Sequence, residues 1–181
     1  MSLWYPTIYR RRIEEVTPDT LRGIGARAVL LDIDNTLTVH DAPEVSDEVV
    51  AWLDNMRVAG FSLMLVSNNC AERVAPFAER LGLPYQARAK KPLPVGYRRA
   101  ARAMGLPCHR CVVIGDQIFT DILGANLSGM PSVLLEPIEP EKDQRFIVFK
   151  RRIERWMLDC PRELKRKEMD YGEYGIFWPG G

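Results

Sequence analysis

The chain has 181 residues, 46% apolar and 27% charged, with 25 lysines and arginines against 24 aspartates and glutamates. That length suits one compact domain, which buries about 70% of its unfolded surface and needs no disulfide or structural metal to hold a core. Near-neutral charge excludes a strongly basic nucleic-acid binder, 4 cysteines are too few for a disulfide scaffold, and no apolar run reaches membrane-spanning length.

The opening stretch MSLWYPTIYRRRIEEV carries Pro6 and three arginines where a secretory signal needs a continuous apolar segment, so a cytoplasmic protein is expected. Residues 28–33 form an aliphatic and β-branched run too short for a helix, which predicts a buried strand. Ser46, followed by Asp47 and Glu48, predicts a helix start: an N-cap oxygen, then negative charge in the first turn. Trp52, Leu53 and Met56 supply that helix's apolar stripe, and Gly60 stops it. A second buried strand follows at 61–66. Asn69 with Glu72 three residues on has the form of a capping box, predicting a helix through Leu81 closed by Gly82.

A weak strand is expected around 85–89, then a helix opened by Pro94 and running to Met104 before Gly105. Residues 111–114 read as a third strong strand, 121–127 as a short helix, 132–135 as a strand and 144–158 as a last helix. Strands alternating with helices predict an α/β fold, a Rossmann-like three-layer sandwich on a mainly parallel sheet. One domain over 1–181 is expected, with its core at about 26–137. Such sheets place ligands at the carboxyl ends of their strands.

Four of those ends carry polar residues. The first strand runs into Asp32-Ile33-Asp34-Asn35-Thr36, and the second into Ser67-Asn68-Asn69. Lys90-Lys91-Pro92 follows the weak strand, and Gly115-Asp116, with Asp121 five residues on, closes the strand at 111–114. Singly, each has an ordinary structural reading: a turn pair, a helix-start serine, a solvated lysine, a turn glycine. Together, four carboxylates at about 4 Å would repel by about 4 kcal/mol per pair at an effective dielectric near 20. A hard divalent cation relieves that repulsion. Oxygen ligands without His or Cys point to Mg²⁺ rather than zinc. A cation beside a lysine and a serine suits a phosphate group, and a remaining carboxylate can attack phosphorus.

This constellation resembles the haloacid dehalogenase superfamily of phosphohydrolases over about residues 28–136, with all four motifs in order. The resemblance implies Asp32 as nucleophile through an aspartyl-phosphate, and Asp34 as the acid that protonates the leaving oxygen and then activates water. Thr36 would steady the loop at the phosphate. Ser67 and Asn68 would bind the phosphoryl group, and Lys91 would neutralise it. Asp116 would bind Mg²⁺ with Asp32 and the Asp34 carbonyl, and Asp121 would hold the metal's waters or orient Lys91. Neither gap between the motifs can house a separate cap domain of at least about 50 residues, so an open, capless site is expected.

SNN, AKKP and GDQIFTDILGAN resemble the capless YqeG-like branch, which is similar to mitochondrial phosphatidylglycerophosphate phosphatases. Pro6, Thr17-Pro18 and FKRRIER extend the match to about residues 1–157. The implied substrate is a phospholipid, phosphatidylglycerophosphate. A phosphatase of soluble sugar or nucleoside phosphates is the alternative, and a phosphate-binding scaffold without turnover is a third reading that the complete residue set opposes.

The flanks bear on location. From Arg145 to Lys167 there are 9 basic and 3 acidic residues, with Phe146, Phe149, Ile153, Trp156 and Met157 at helical spacing. Trp4, Tyr5 and Tyr9 precede Arg10, Arg11 and Arg12. Aromatics beside arginines suit an anionic lipid surface, so peripheral contact at the inner membrane face stays open beside the plainer reading that the stripe packs on its own sheet. No nucleic-acid partner is expected. Cys108-His109-Arg110-Cys111 stands before a strand, the wrong place for a redox motif. His40 reads as an exposed loop residue, and the aromatic and glycine-rich end at 171–181 as a tail or docking strip.

Overall fold

The computed structural model describes residues 3–39 and 44–138. Six strands form one parallel sheet: β1 (Ile8–Arg10), β2 (Ala28–Leu31), β3 (Ser62–Val66), β4 (Tyr85–Gln86), β5 (Cys111–Gly115) and β6 (Ser132–Leu135). Their spatial order is β1-β6-β5-β2-β3-β4, and each neighbouring pair runs parallel. Five helices accompany them: α1 (Pro18–Gly23), α2 (Asp47–Val58), α3 (Ala71–Leu81), α4 (Pro94–Ala103) and α5 (Leu123–Ser128).

Alternation along the strands produces the three layers. Val29 and Leu31 of β2, Leu63 and Leu65 of β3, and Val112 and Ile114 of β5 join one core with Leu21 of α1, Trp52 and Met56 of α2 and Phe77 of α3. Ala28, Leu30, Met64, Val66 and Val113 point the other way, onto Tyr97 and Ala100 of α4 and Ala125 of α5. Strands buried on both faces need unbroken apolar runs, and β2 and β5 have them. The expected α/β sandwich is the observed one.

Helix ends follow local chemistry where nothing distant competes. Ser46 caps α2 by accepting from the Val49 N–H at 3.4 Å, and Gly82 ends α3 with φ +60°. Three expectations differ. The cap of α3 is Cys70 rather than Asn69, with no side-chain capping bond, because Asn69 is drawn to Asp34. The weak strand stops at Gln86, since Arg88 and Lys90 take φ of 47° and 58° and turn the chain toward the sheet's carboxyl edge. The short helix begins earlier, as a π turn over Ile118–Ile122.

One strand and one α-helix have no counterpart in the sequence reading. β1 pairs with β6, Ile8 opposite Val133, and α1 is capped by Thr17, whose hydroxyl accepts from the Thr20 N–H. The indole N–H of Trp52 donates to the Val16 carbonyl at 2.7 Å and ties this N-terminal segment to α2. The helix expected at 144–158, the basic segment 145–167, His40 and the 171–181 end lie outside the described residues. No helix among the described residues is long and apolar enough to cross a membrane.

Candidate active site

From β2 the chain winds outward through β3 to β4, then restarts on the other side of β2 with β5 and β6. The carboxyl ends of β2, β3 and β5 therefore open on one crevice, where a strand order reverses and ligands commonly sit. Asp32 leaves β2 still laddered, its N–H on the Ile114 carbonyl at 3.0 Å. Beyond it the Ile33 carbonyl takes the N–H groups of Thr36, Leu37 and Thr38, a tight turn in which Asn35 adopts φ 60°. Asparagine tolerates that left-handed conformation better than most residues.

Asp32 is 7% exposed, and Lys91 Nζ donates to its Oδ1 at 2.5 Å. The same ammonium donates to Asp121 Oδ1 at 2.7 Å. The backbone N–H of Gln117 donates to Asp121 Oδ2 at 3.2 Å, and the Tyr97 hydroxyl lies 3.4 Å from Oδ1. A methyl group on Gly115 would stand 2.4 Å from the Asp121 carboxylate, so β5 must end in glycine there. The π turn sets Asp121 into the core at 0% exposure, a use of that rare geometry often found at functional sites. The Thr36 hydroxyl donates to Asp116 Oδ1 at 3.4 Å and joins the turn after β2 to the end of β5.

Asp32, Asp116 and Asp121 each offer one oxygen within 4.8 Å of the others, and all three are buried. With oxygen donors only, this set fits a hard divalent cation. Burial raises the Asp32 carboxyl to about 6, helped by Asp121 and opposed by Lys91. For Lys91, burial works against the charge, but Asp121 and Asp32 outweigh it and hold the ammonium well above its usual range. Burial likewise pushes the Tyr97 phenol up, Lys91 only partly offsetting it.

A second group stands on β3 and α3. The Ser67 hydroxyl is buried and accepts from the Asn69 N–H at 3.1 Å. Asn68 clasps the Lys91 backbone, its Oδ1 taking the N–H at 2.6 Å and its Nδ2 donating to the carbonyl at 3.1 Å. Its side chain is thus spent on placing Lys91. Asp34 is held from α3: Asn69 Nδ2 donates to its Oδ2 at 3.0 Å and Arg73 to its Oδ1 at 2.8 Å.

All the expected site residues, Asp32, Asp34, Thr36, Ser67, Asn68, Lys91, Asp116 and Asp121, thus come together at one edge of the sheet. Asn69, Arg73 and Tyr97 join them unannounced. A basic residue in the first turn of a helix that opens at a strand end was the available hint for Arg73. Tyr97 gave none, since a buried aromatic at helical spacing reads as core.

A model of the haloacid dehalogenase-like hydrolases matches residues 6–129. The chain belongs to that family. It is 36% identical over 166 residues to the probable phosphatase YqeG of Bacillus subtilis, covering 92% of this chain and 94% of that one. To the chloroplastic phosphatidylglycerophosphate phosphatase 1 of Chlamydomonas reinhardtii it is 27% identical over 162 residues, 84% of this chain and 60% of that one. Among solved structures, an uncharacterized protein from Listeria monocytogenes superposes with a TM-score of 0.54 at 20% identity, covering 66% of this chain and 84% of the other, which speaks to the fold. The expected family and its YqeG-like branch therefore stand, and this haloacid dehalogenase-like hydrolase is a phosphatase.

Proposed function

We propose that this phosphatase hydrolyses a phosphomonoester through a phospho-Asp32 intermediate with Mg²⁺ as cofactor, and that its substrate is phosphatidylglycerophosphate. The observation that carries the chemistry is the buried triad of Asp32, Lys91 and Asp121 beside Asp116. Asp32, Asp116 and the Asp34 carbonyl would hold the cation, with Asp121 reaching it through water. When bound, the metal neutralises charge on the phosphate and keeps Asp32 ionised at neutral pH.

Asp32 then attacks phosphorus while Asp34 gives a proton to the departing oxygen. Asp34 next takes a proton from water, which attacks the acyl phosphate and regenerates Asp32. Lys91 and the Ser67 hydroxyl take the phosphoryl oxygens, and Asn68 offers its backbone N–H while its side chain steadies Lys91. Asp34 suits the leaving-group role because it follows Asp32 by two residues and its side chain is the more exposed of the two, 17% against 9%.

The lipid substrate rests on the likeness to the Chlamydomonas enzyme and on the lack of any inserted domain between the motif-bearing strands. From β2 to β3 the described chain adds only α2, and from β3 to β5 only α3, β4 and α4 with one short 3-10 turn, which leaves room for a bulky substrate at the crevice. Phosphate release from phosphatidylglycerophosphate in detergent micelles with Mg²⁺, beside a panel of soluble phosphate esters, tests the reading. Strong preference for the lipid supports it. Activity on a soluble ester alone keeps the mechanism and removes the lipid. Full activity of the Asp32→Asn protein would overturn the nucleophile.

A further inference from the structure

The mechanism leaves Arg73 without a role, and its position is specific. Its guanidinium reaches from the first turn of α3 across to Asp34, 2.8 Å from Oδ1, while Asn69 holds the other oxygen. We propose that Arg73 is a substrate-binding residue that takes a second anionic group on the leaving side of the phosphomonoester, and so selects substrates whose alcohol carries a negative charge. The inference rests on the reading of Asp34 as the leaving-group acid.

A group that hands its proton to the departing oxygen must touch the leaving alcohol, so whatever touches that group lies beside the alcohol too. Exposure then rises outward: the Asp32 side chain is 9% exposed, Asp34 17% and Arg73 38%. The rest of the leaving group can only extend toward solvent, past Arg73. A guanidinium offers a planar fork of donors suited to phosphate and carboxylate oxygens, and it can contact both Asp34 and a second anion.

The surrounding rim is mixed in charge with a basic balance. Arg88 follows on the same edge, its N–H on the Asn69 carbonyl at 2.8 Å, and Lys90 is exposed two residues on. Glu72, also exposed, is the acidic neighbour; its own backbone N–H, the Cys70 thiol and Arg88 together hold its carboxyl below the usual range. A phosphodiester one glycerol unit from the reacting phosphate would meet this rim, whereas a neutral alcohol would bring no anion to it.

The test compares two soluble phosphomonoesters of alkyl alcohols with Mg²⁺: glycerol 3-phosphate, whose leaving group is neutral, and glycerophosphoglycerol phosphate, whose leaving group carries one phosphodiester charge. Wild-type protein is expected to favour the second in kcat/KM by about tenfold or more, the worth of one charge-assisted hydrogen bond. Arg73→Ala lowers both rates and brings the ratio close to one, and Arg73→Lys keeps part of the preference. Equal kcat/KM for both esters in the wild type overturns the proposal, as does an Arg73→Ala protein that loses both activities by the same factor, which would make Arg73 a positioning residue for Asp34 only. Wild-type protein that hydrolyses neither these esters nor the lipid, while releasing phosphate from another ester, overturns the proposed substrate and this inference with it.

Discussion

At the scale of single residues, the site holds more negative charge than its surroundings can comfort. Asp32, raised to about 6 from 3.8, binds its proton more tightly folded than unfolded, so its ionisation costs metal-free stability as pH rises through that window. Asp32→Asn removes the charge. Turnover should vanish, and the metal-free variant should outlast the wild type in thermal unfolding. The difference should be small at pH 4, grow as pH rises toward 6 and level off above it. A gap that does not grow with pH would contradict the burial argument. Adding Mg²⁺ should stabilise the wild type more than the variant, and a chelator should reverse that gain. Gly115→Ala makes a different point: its methyl would fall 2.4 Å from Asp121, so phosphate release should drop at least tenfold through displacement of Lys91's partner. Of these details, Asp32, Lys91 and Asp121 were legible as motif residues. Their contact through one ammonium was not, because it joins positions far apart in the chain.

Elements obey local rules until a distant group competes. Ser46 caps α2 as its sequence predicts, with Asp47 and Glu48 behind it in the first turn. Ser46→Ala should cost about 1 kcal/mol in denaturant unfolding while kcat stays level, since the cap lies away from the clustered carboxylates. At α3 the same kind of signal misleads. Asn69 and Glu72 have capping-box spacing, yet Asp34 takes the Asn69 amide and the helix starts one residue later. The end of β4 tells the same story: residues 87–89 have no strongly non-strand composition, but Arg88 and Lys90 turn to bring Lys91 to Asp32. Where sequence and structure part, the site is the cause.

For the whole molecule, the informative piece is the N-terminal segment. β1 is three residues long and ends among arginines, too short for any periodic signal, and it becomes a strand only because β6 offers an open edge. Ile8 is fully buried there, packed in the core that α1, α2 and α3 cover. Ile8→Ala should lower stability by about 2–4 kcal/mol with an unchanged site, measured by urea unfolding beside phosphate release. Loss of activity at full stability would mean that β1 acts on the site rather than on the fold.

Composition and the order of motifs by themselves determined the α/β class, the positions of β2, β3, β5 and β6, and which residues gather at their ends. Those are properties of short apolar runs and of residues adjacent to them, which local sequence carries. Only the tertiary structure decided that Asp34 meets Arg73 and Asn69, that Asn68 serves Lys91, that Tyr97 meets Asp121, and that β1 completes the sheet. Each is a pairing between residues distant in the chain, and no pattern within either partner's own segment specifies the other.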